Sequence, residues 1–589
     1  MATWLKAIVA LAWLTVPCPA EAAILSVGSG KAYPRPCAAI AAAAPGDTIE
    51  IYVAGEYSGD VCAWTKDGLT LRGVDGRAHI DAAGKSSQGK AIWVISGNDT
   101  VVENMEFSGA VVPDKNGAGI RQEGRNLTVR NCYFHDNEDG ILAGDSPGSR
   151  ILIEYSEFAN NGSGDGFSHN LYINHVAQFT LRFCYSHHSK VGHLVKSRAA
   201  ENYILYNRLS DEADGTGSYE INIPNGGRTF IIGNLIQQGP RTENSTVMTY
   251  RDEGPNAANP DSSLYIGNNT FVNDRPGDAT FIAISSGNPT PAIIRNNIFV
   301  GNGLIATQPG AVMEGNLSTQ DKMFVNAATY DYHLRSGSPA IDGGVDPADL
   351  TPAYQYVHPA CGETRTTRAN IDIGAYEYGG SAYYKESLTR CRMISPGGIV
   401  NGANFMPGPI APGSLVTVFG ANLAAHAATA DGLPLPQVLA GTSVSINGIA
   451  ASLYAVSAIQ VNVQVPFELQ PGSGVLTVTV EGVETAAVSV TIADAAPAIF
   501  SLSDIEFIAG SIQSVYFTGQ GRAPVLPVRA TISGQDVEVV SVGLPPNMPG
   551  IALAQIRIPD LPAGIYPLVI TVGSSSSSPA DLKLTTARD

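Results

Sequence analysis

Charge is scarce in this chain. Of its 589 residues only 15% are Asp, Glu, Lys or Arg, and basic residues are the scarcer kind, 35 against 53 acidic ones. A net charge of −18 and a pI near 5.0 exclude a general binder of nucleic acid or of acidic membrane surfaces. Long helical patterns are lacking too. With 63 Gly and 37 Pro, coiled coils and long helices are excluded, and a turn-rich, all-β chain is indicated. Past residue 22 no apolar run approaches the roughly 20 residues that cross a bilayer, so the mature protein is expected to have no membrane span. Zinc-type Cys/His spacing is absent as well. Apolar residues are abundant, at 44%, too many for a disordered chain. One core rarely grows past roughly 250–300 residues, so several domains are expected.

Met1–Ala22 has the build of a secretory signal: one basic residue (Lys6), the apolar stretch Ala7–Val16, and Ala20-Glu21-Ala22 as an A-x-A-type cleavage site. Cleavage near Ala22 implies a secreted, periplasmic or cell-surface protein. A lipobox at Cys18 is the competing reading, which Thr15-Val16-Pro17 fits poorly. Removal of the segment leaves six of seven cysteines, an even number suited to an oxidising compartment. Cys37 with Cys62, and Cys361 with Cys391, are expected to pair.

Self-similarity dominates residues 100–300. Val102-Glu-Asn104-Met-Glu-Phe107 recurs as Val129-Arg-Asn131-Cys-Tyr-Phe134 and Ile153-Glu-Tyr155-Ser-Glu-Phe158. Later copies centre on Asn207, Asn234, Asn268 and Asn296, with a degenerate one at Phe183. The third positions are then spaced 27, 24, 28, 24, 27, 34 and 28. Each unit holds short alternating strands and no ten-residue amphipathic helix, so helical solenoids are excluded. A parallel β-helix satisfies the pattern, each rung burying its inward residues against its neighbours. Cys132 and Cys184 fall at one repeat position two rungs apart, about 10 Å. A disulfide needs Cα atoms within about 7 Å, so both are expected as buried free thiols.

Cys37-Ala-Ala-Ile-Ala-Ala-Ala-Ala-Pro45-Gly-Asp47-Thr-Ile-Glu-Ile resembles the opening motif of the right-handed, pectate-lyase-like β-helix family. There a short helix caps the open end of the solenoid, which would otherwise expose unpaired sheet edge. Tyr330–Asp342 and Asp372–Glu377 are similar to the closing segment of many bacterial members. The implied solenoid covers residues 23–380, followed by a linker at 381–396.

From Gly397 onward there are five Lys/Arg and one His, and the chain becomes Val/Thr/Ala-rich strands with Pro-Gly turns. Val444-Ser-Ile-Asn-Gly448, Gln460–Pro466 and Val475–Val480 are answered by Ala530-Thr-Ile-Ser-Gly534, Gln555–Pro559 and Leu568–Val572. Two immunoglobulin-like β-sandwiches, 397–495 and 496–589, fit this duplication. Gly398–Phe405 with Ile410–Gly420 resembles a C-terminal domain of many secreted bacterial proteins, which implies a spacer or stability module ahead of sugar or cell-surface binding.

Histidine is the sharpest asymmetry. His169, His175, His187, His188 and His193 lie within 25 residues, joined by Lys190, Lys196 and Arg198. From His169 to Arg251 there are eight Lys/Arg against six Asp/Glu, the one region suited to an anionic ligand. Strand alternation predicts Tyr219, Ile221 and Ile223 inward with Glu220 and Asn222 outward. Burying Lys196 and Arg198 unpaired would cost several kcal/mol, so both are placed outward and Val195 and Ser197 inward. The same logic predicts an outward column of Tyr172, Lys196, Asn222 and Tyr250. Asn170 and Glu220 flank it on one side, Arg198 and Asp252 on the other.

Such a column suits an acidic, uronate-containing polysaccharide cleaved by β-elimination. Arg198 or a bound cation would neutralise the carboxylate while Lys196, Tyr172 or a histidine such as His193 removes the α-proton. His169, Asn170, Glu220, Asn222 and Tyr250 would bind substrate. Val195-Lys196-Ser197, Asn202-Tyr203 and Tyr206-Asn207 are similar to the catalytic-lysine rung of alginate-lyase and chondroitinase-B-like lyases, which implies Lys196 as proton abstractor. That family's calcium-binding glutamates are missing between Ser189 and Val195, and its arginine is missing near Pro224-Asn225-Gly226. No cofactor is therefore assigned, calcium being the one the resemblance would imply. Gly166-Phe-Ser-His169-Asn is faintly like the histidine loop of β-helix uronate epimerases. Glu201, Asp211, Glu212 and Asp214 offer a loop metal site or a plain acidic turn. The alternative to a lyase is a monomeric, non-catalytic glycan-binding or cell-surface protein.

Overall fold

The computed structural model describes residues 23–321, 323–367, 369–379, 392–485, 487–502, 505–522 and 526–585. The expected signal segment Met1–Ala22, and the Cys361–Cys391 pairing through Cys391, fall outside the described residues.

Short strands recur along the first half of the chain, and each pairs in parallel with the strand one rung before and one rung after. Three sheets result. The first has twelve strands, from Ile24–Val27 to Val312–Glu314; the second has ten, from Ala78–Asp81 to Leu317–Thr319; the third has ten, from Cys62–Trp64 to Gly303–Ala306. Because alternate residues of a strand face inward, in-register pairing stacks like on like. Phe107, Phe134 and Phe158 stack at 5.0 Å steps inside the coil. The helix Pro36–Ala42 buries Ala39 and Ile40 against the first rungs. A Cys37–Cys62 disulfide, Cα atoms 5.8 Å apart, ties this cap to the third sheet.

The recurring Asn has a backbone cause. Between the first and second sheets the chain bends through one residue of positive φ: Asn104, Asn131, Tyr155, Phe183, Tyr206, Asn268 and Asn296 lie at 50–58°, Gly233 at 69°. Asn tolerates this left-handed region better than most residues. The next residue points inward. Register pairs Arg208 with Tyr185 and Leu235 with Arg208, so Asn207 and Asn234 are inward residues and their corners are Tyr206 and Gly233. The repeat as aligned in sequence therefore slips by one in those two units. Inside, the amides form a ladder: Asn207 donates to Asn234 (3.0 Å), Asn234 to Asn269 (2.9 Å), Asn269 to Asn297 (2.9 Å) and Asn297 to Asn316 (3.0 Å). Cys132 and Cys184 occupy the same inward position with Ser156 between them, and both are buried free thiols. Burial pushes the Cys132 thiol up to about 12.

Residues 323–367 and 369–376 fold back over the later rungs of the second sheet, where Phe324, Tyr332, Tyr356 and Tyr376 pack with Leu235, Val272, Ile298 and Val300. Beyond residue 392 the pairing is almost wholly antiparallel. Strands from Met393 to Ile492 form two five-stranded sheets around Val416, Val418, Leu453, Val461 and Val478. Strands from Ala498 to Thr585 form a four- and a six-stranded sheet around Val515, Phe517, Ala554, Ile570 and Leu582. These are two β-sandwich modules. The strand Met393–Asn401 begins within the segment read as a linker. It meets the solenoid where the corner rings of Tyr155, Phe183 and Tyr206 stack at 5.3 and 5.4 Å. The Tyr155 hydroxyl is 3.2 Å from Ser395 Oγ.

Candidate functional site

On the outer face of the third sheet, Arg121, Leu142, Tyr172, Lys196, Asn222 and Thr249 lie side by side on successive rungs. Tyr172, Lys196 and Asn222 stand where alternation puts them. Tyr250 does not: Asn222 pairs with Thr249 and Ile223 with Tyr250. This one-residue slip turns Tyr250 into the solenoid. It is fully buried there, and its hydroxyl donates to the Gly227 carbonyl at 2.8 Å. The phenol is long enough to satisfy itself on the corner main chain, so it is a core residue and not a sugar contact.

Arg198 follows the strand Val195–Ser197 and reaches back across the column. Its Nε donates to the Tyr172 hydroxyl at 3.0 Å, and its guanidinium pairs with Glu253 (3.0 and 2.7 Å) and with the Asn225 amide oxygen. Lys196 Nζ lies 5.1 Å from the Tyr172 ring centre and 3.8 Å from Glu253 Oε1. Asn222 Nδ2 donates to Thr249 Oγ1 (2.5 Å) and to Asp252 (3.2 Å). Three of the expected catalytic residues thus share one face. Burial lowers the Lys196 pKa below that of a free lysine; Arg198 adds to this, and Glu253, Asp252 and Asp139 oppose it. Lys196 therefore releases its proton more readily than a solvated lysine.

His169 and His193 lie beside this face. Their rings stack at 4.4 Å, and His169 meets the Tyr172 ring edge-on at 5.6 Å. His169 Nδ1 accepts the His193 main-chain N–H at 3.0 Å, and His193 Nδ1 accepts that of Tyr219 at 3.4 Å. An accepting nitrogen carries no proton, so both rings are neutral with hydrogen on Nε2. Burial first, then the nearby cations, hold both below the ordinary range, His193 at about 3.

Two expected flanking residues turn inward. Asn170 Oδ1 accepts from Asn161 at 3.0 Å, and its amide donates to Ser186 Oγ (3.0 Å) and the His187 carbonyl (2.9 Å). It braces the interior and is closed to substrate. Glu220 and Tyr219 exchange their expected places. Tyr219 is half-buried and packs on His193 at 4.9 Å, while Glu220 is fully buried, with neither carboxylate oxygen hydrogen-bonded among the described residues. The strand proper is only Ile221–Ile223, so strict alternation does not extend back to residue 220. Burial, reinforced by the Asp211 carboxylate, raises the Glu220 pKa well above the ordinary value.

The four loop carboxylates do not form one set. Asp211 is buried, Glu212 pairs with Arg208 at 2.5 Å, Asp214 lies 3.0 Å from His188 Nε2, and Glu201 sits on the first sheet beside Gln178 and Arg228. Calcium needs six to eight oxygen ligands. Glu253 is committed to Arg198 and Lys196, and Asp252 to Asn222. This donor set does not fit calcium, and no step is assigned to it.

Three residues of the site escape sequence reasoning. Arg121 shares the column and was readable from the alternation of Ala118–Gln122. Glu253 comes from the turn after Thr246–Tyr250 and has no periodic signal. Asp139, which the sequence reading did not single out, opens the strand Asp139–Ala143 and is buried with Oδ1 accepting the His169 N–H at 2.8 Å. Burial raises its pKa to about 8, so it is mainly a neutral acid at pH 7.

Residues 67–188 match the family described as right handed beta helix region. No curated protein matches the chain. Among solved structures the chain is similar to pectate lyase Pel9A at 14% identity and a TM-score of 0.45, covering 61% of this chain and 96% of that one. It is also similar to SGBP-B of the Bacteroides ovatus mixed-linkage glucan utilization locus, solved with a mixed-linkage heptasaccharide, at 15% identity and a TM-score of 0.19 over 30% and 44% of the two chains. The S-layer protein SbsC, domains 5-6, is similar at 15% identity and a TM-score of 0.15 over 33% and 100%. With three parallel sheets wound from single short strands and this family match within them, the solenoid is a right-handed parallel β-helix.

Proposed function

We propose that the protein is a carbohydrate-active enzyme, a polysaccharide lyase that holds an acidic, uronate-containing glycan along the outer face of the third sheet and cleaves it by β-elimination. The observation that supports it most directly is the convergence of Tyr172, Lys196 and Arg198 on one face, within contact of one another. Lys196, with its lowered pKa, takes the proton α to the carboxylate. Arg198 neutralises the charge that builds on that carboxylate. Because the Tyr172 oxygen accepts from Arg198 Nε, its own proton remains available for the departing glycosidic oxygen. The double bond forms as that C–O bond breaks. A secreted, monomeric protein goes with this reading.

One observation favours the second reading, a glycan-binding face without catalysis. Glu253 already occupies both cations, so a substrate carboxylate must displace it. Incubation with alginate, pectate and chondroitin, followed by the ultraviolet absorbance of an unsaturated uronate, separates the two. Absorbance that grows with the native protein and vanishes with Lys196→Ala supports the lyase. Retention of a polymer with no absorbance change leaves binding alone.

A further inference from the structure

A second set of ligating side chains lies on the outer face of the second sheet, away from Lys196. His79 and Glu106 are in register on adjacent rungs, and His135 stands one rung further, beside Ser108 in the neighbouring outward column. Glu106 Oε1 is 3.1 Å from His135 Nε2 and 3.8 Å from His79 Nε2, and the three atoms lie within 4.8 Å of one another. A zinc ion with ligands at about 2.0–2.1 Å in a tetrahedron separates them by about 3.4 Å. The apposition is thus close to that of a metal-ligand triad.

Around the triad the surroundings are also those of a metal site. Asp136 Oδ2 lies 2.9 Å from His135 Nδ1. A carboxylate there keeps hydrogen on Nδ1 and turns the Nε2 lone pair outward, as outer partners of metal-bound imidazoles do. His79 is 43% exposed, which leaves room for water as a fourth ligand. Against the ion stand Ser108 Oγ, 2.8 Å from His79 Nε2, and Arg77, which acts on Glu106 while held by Asn131 (2.9 and 3.1 Å). Lys190 reaches Asp136 Oδ1 at 3.4 Å.

The same sheet carries an internal comparison. His187 Nε2 lies 3.2 Å from Glu157 Oε1, repeating the His135–Glu106 pair two rungs on. The residue in register one rung before Glu157 is Tyr133, where the first pair has His79. Among the described residues, only the first pair has a third ligand in such a cluster. We propose that His79, Glu106 and His135 bind a divalent transition-metal ion of the zinc class and so staple three successive rungs. Two imidazoles and one carboxylate select zinc, nickel or copper over calcium and magnesium.

Chelator-treated full-length protein titrated with zinc chloride in a calorimeter tests this, with cobalt absorbance as a second readout. One equivalent binds, zinc raises the melting temperature, and His79→Ala and His135→Ala each weaken binding at least tenfold. Melting in chelator identifies variants that stay folded, and Glu106→Gln replaces any that does not. Absence of zinc binding overturns the site, as does affinity unchanged in all folded variants. Loss confined to a His187→Ala, His188→Ala double variant also overturns it, because the ion is then held elsewhere.

Discussion

Nε of Arg198 donates a 3.0 Å hydrogen bond to the hydroxyl of Tyr172, which lies one rung away on the same outer face. The contact holds the guanidinium across the column and frees the tyrosine proton for a partner outside the protein. Lys196 completes the group above the Tyr172 ring. In the proposed mechanism base, cation and acid meet one sugar ring from one side.

Replacing Lys196 by alanine should lower the rate of unsaturated-uronate release at least 100-fold, the usual contribution of a positioned base. Arginine at this position should not restore it, since a guanidinium stays protonated. Rate measured against pH should rise as Lys196 loses its proton and level off below the ordinary lysine value of 10.5, because burial lowers this pKa. A rate independent of pH from 6 to 10 would remove Lys196 from the role of base.

Glu253→Gln should strengthen the binding of acidic polymers severalfold at low salt. It removes the carboxylate that competes for Arg198 and Lys196, and exposed charge pairs weaken as salt screens them. Affinity electrophoresis in gels containing pectate or alginate reads the change. Unaltered retardation would mean that substrate does not meet these cations.

Glu220→Gln should stabilise the protein above neutral pH, because the amide, unlike the buried carboxyl, carries no proton-linked cost there. The folded chain keeps the Glu220 proton after the unfolded chain has lost it near 4.5. The unfolded state then binds fewer protons, so this contribution is complete below that pH and is lost as pH rises towards the folded pKa. Melting curves of native and variant protein should coincide near pH 4 and separate by pH 8, with the variant higher.

Asn234→Ala should cost about 2–4 kcal/mol, because it deletes the ladder bonds to Asn207 and Asn269 and the bond to the Ile204 carbonyl. Denaturant unfolding checks this. An equal loss for Asn296→Ala is not expected, since Asn296 is a corner residue whose side chain bonds the closing segment at Val345.

The rung repeat, the cap helix, the Cys37–Cys62 bridge and the unpaired Cys132 and Cys184 were all legible in the sequence. The rung repeat and the two free thiols follow from a period that sterics impose locally, since inward and outward residues alternate and one left-handed corner recurs per rung. The cap helix was expected from the resemblance to the β-helix family, and the bridge from the closeness of Cys37 and Cys62 in sequence. Lys196, Tyr172 and Asn222 were placed by the same alternation, being central in short strands. The errors fall where a strand ends. Tyr250 and Glu220 sit at or beyond strand boundaries, and one residue more or less in a turn such as Pro224–Gly227 reverses the facing of the next strand. Only the folded register decided that Glu253 would cap the cations and that Asp139 would be buried beside His169. The same holds for His79, Glu106 and His135, which meet although they lie on separate rungs. Sequence determines the period of a solenoid because the period is local; tertiary structure decides which side chains meet across rungs, because turn geometry sets the offset between them.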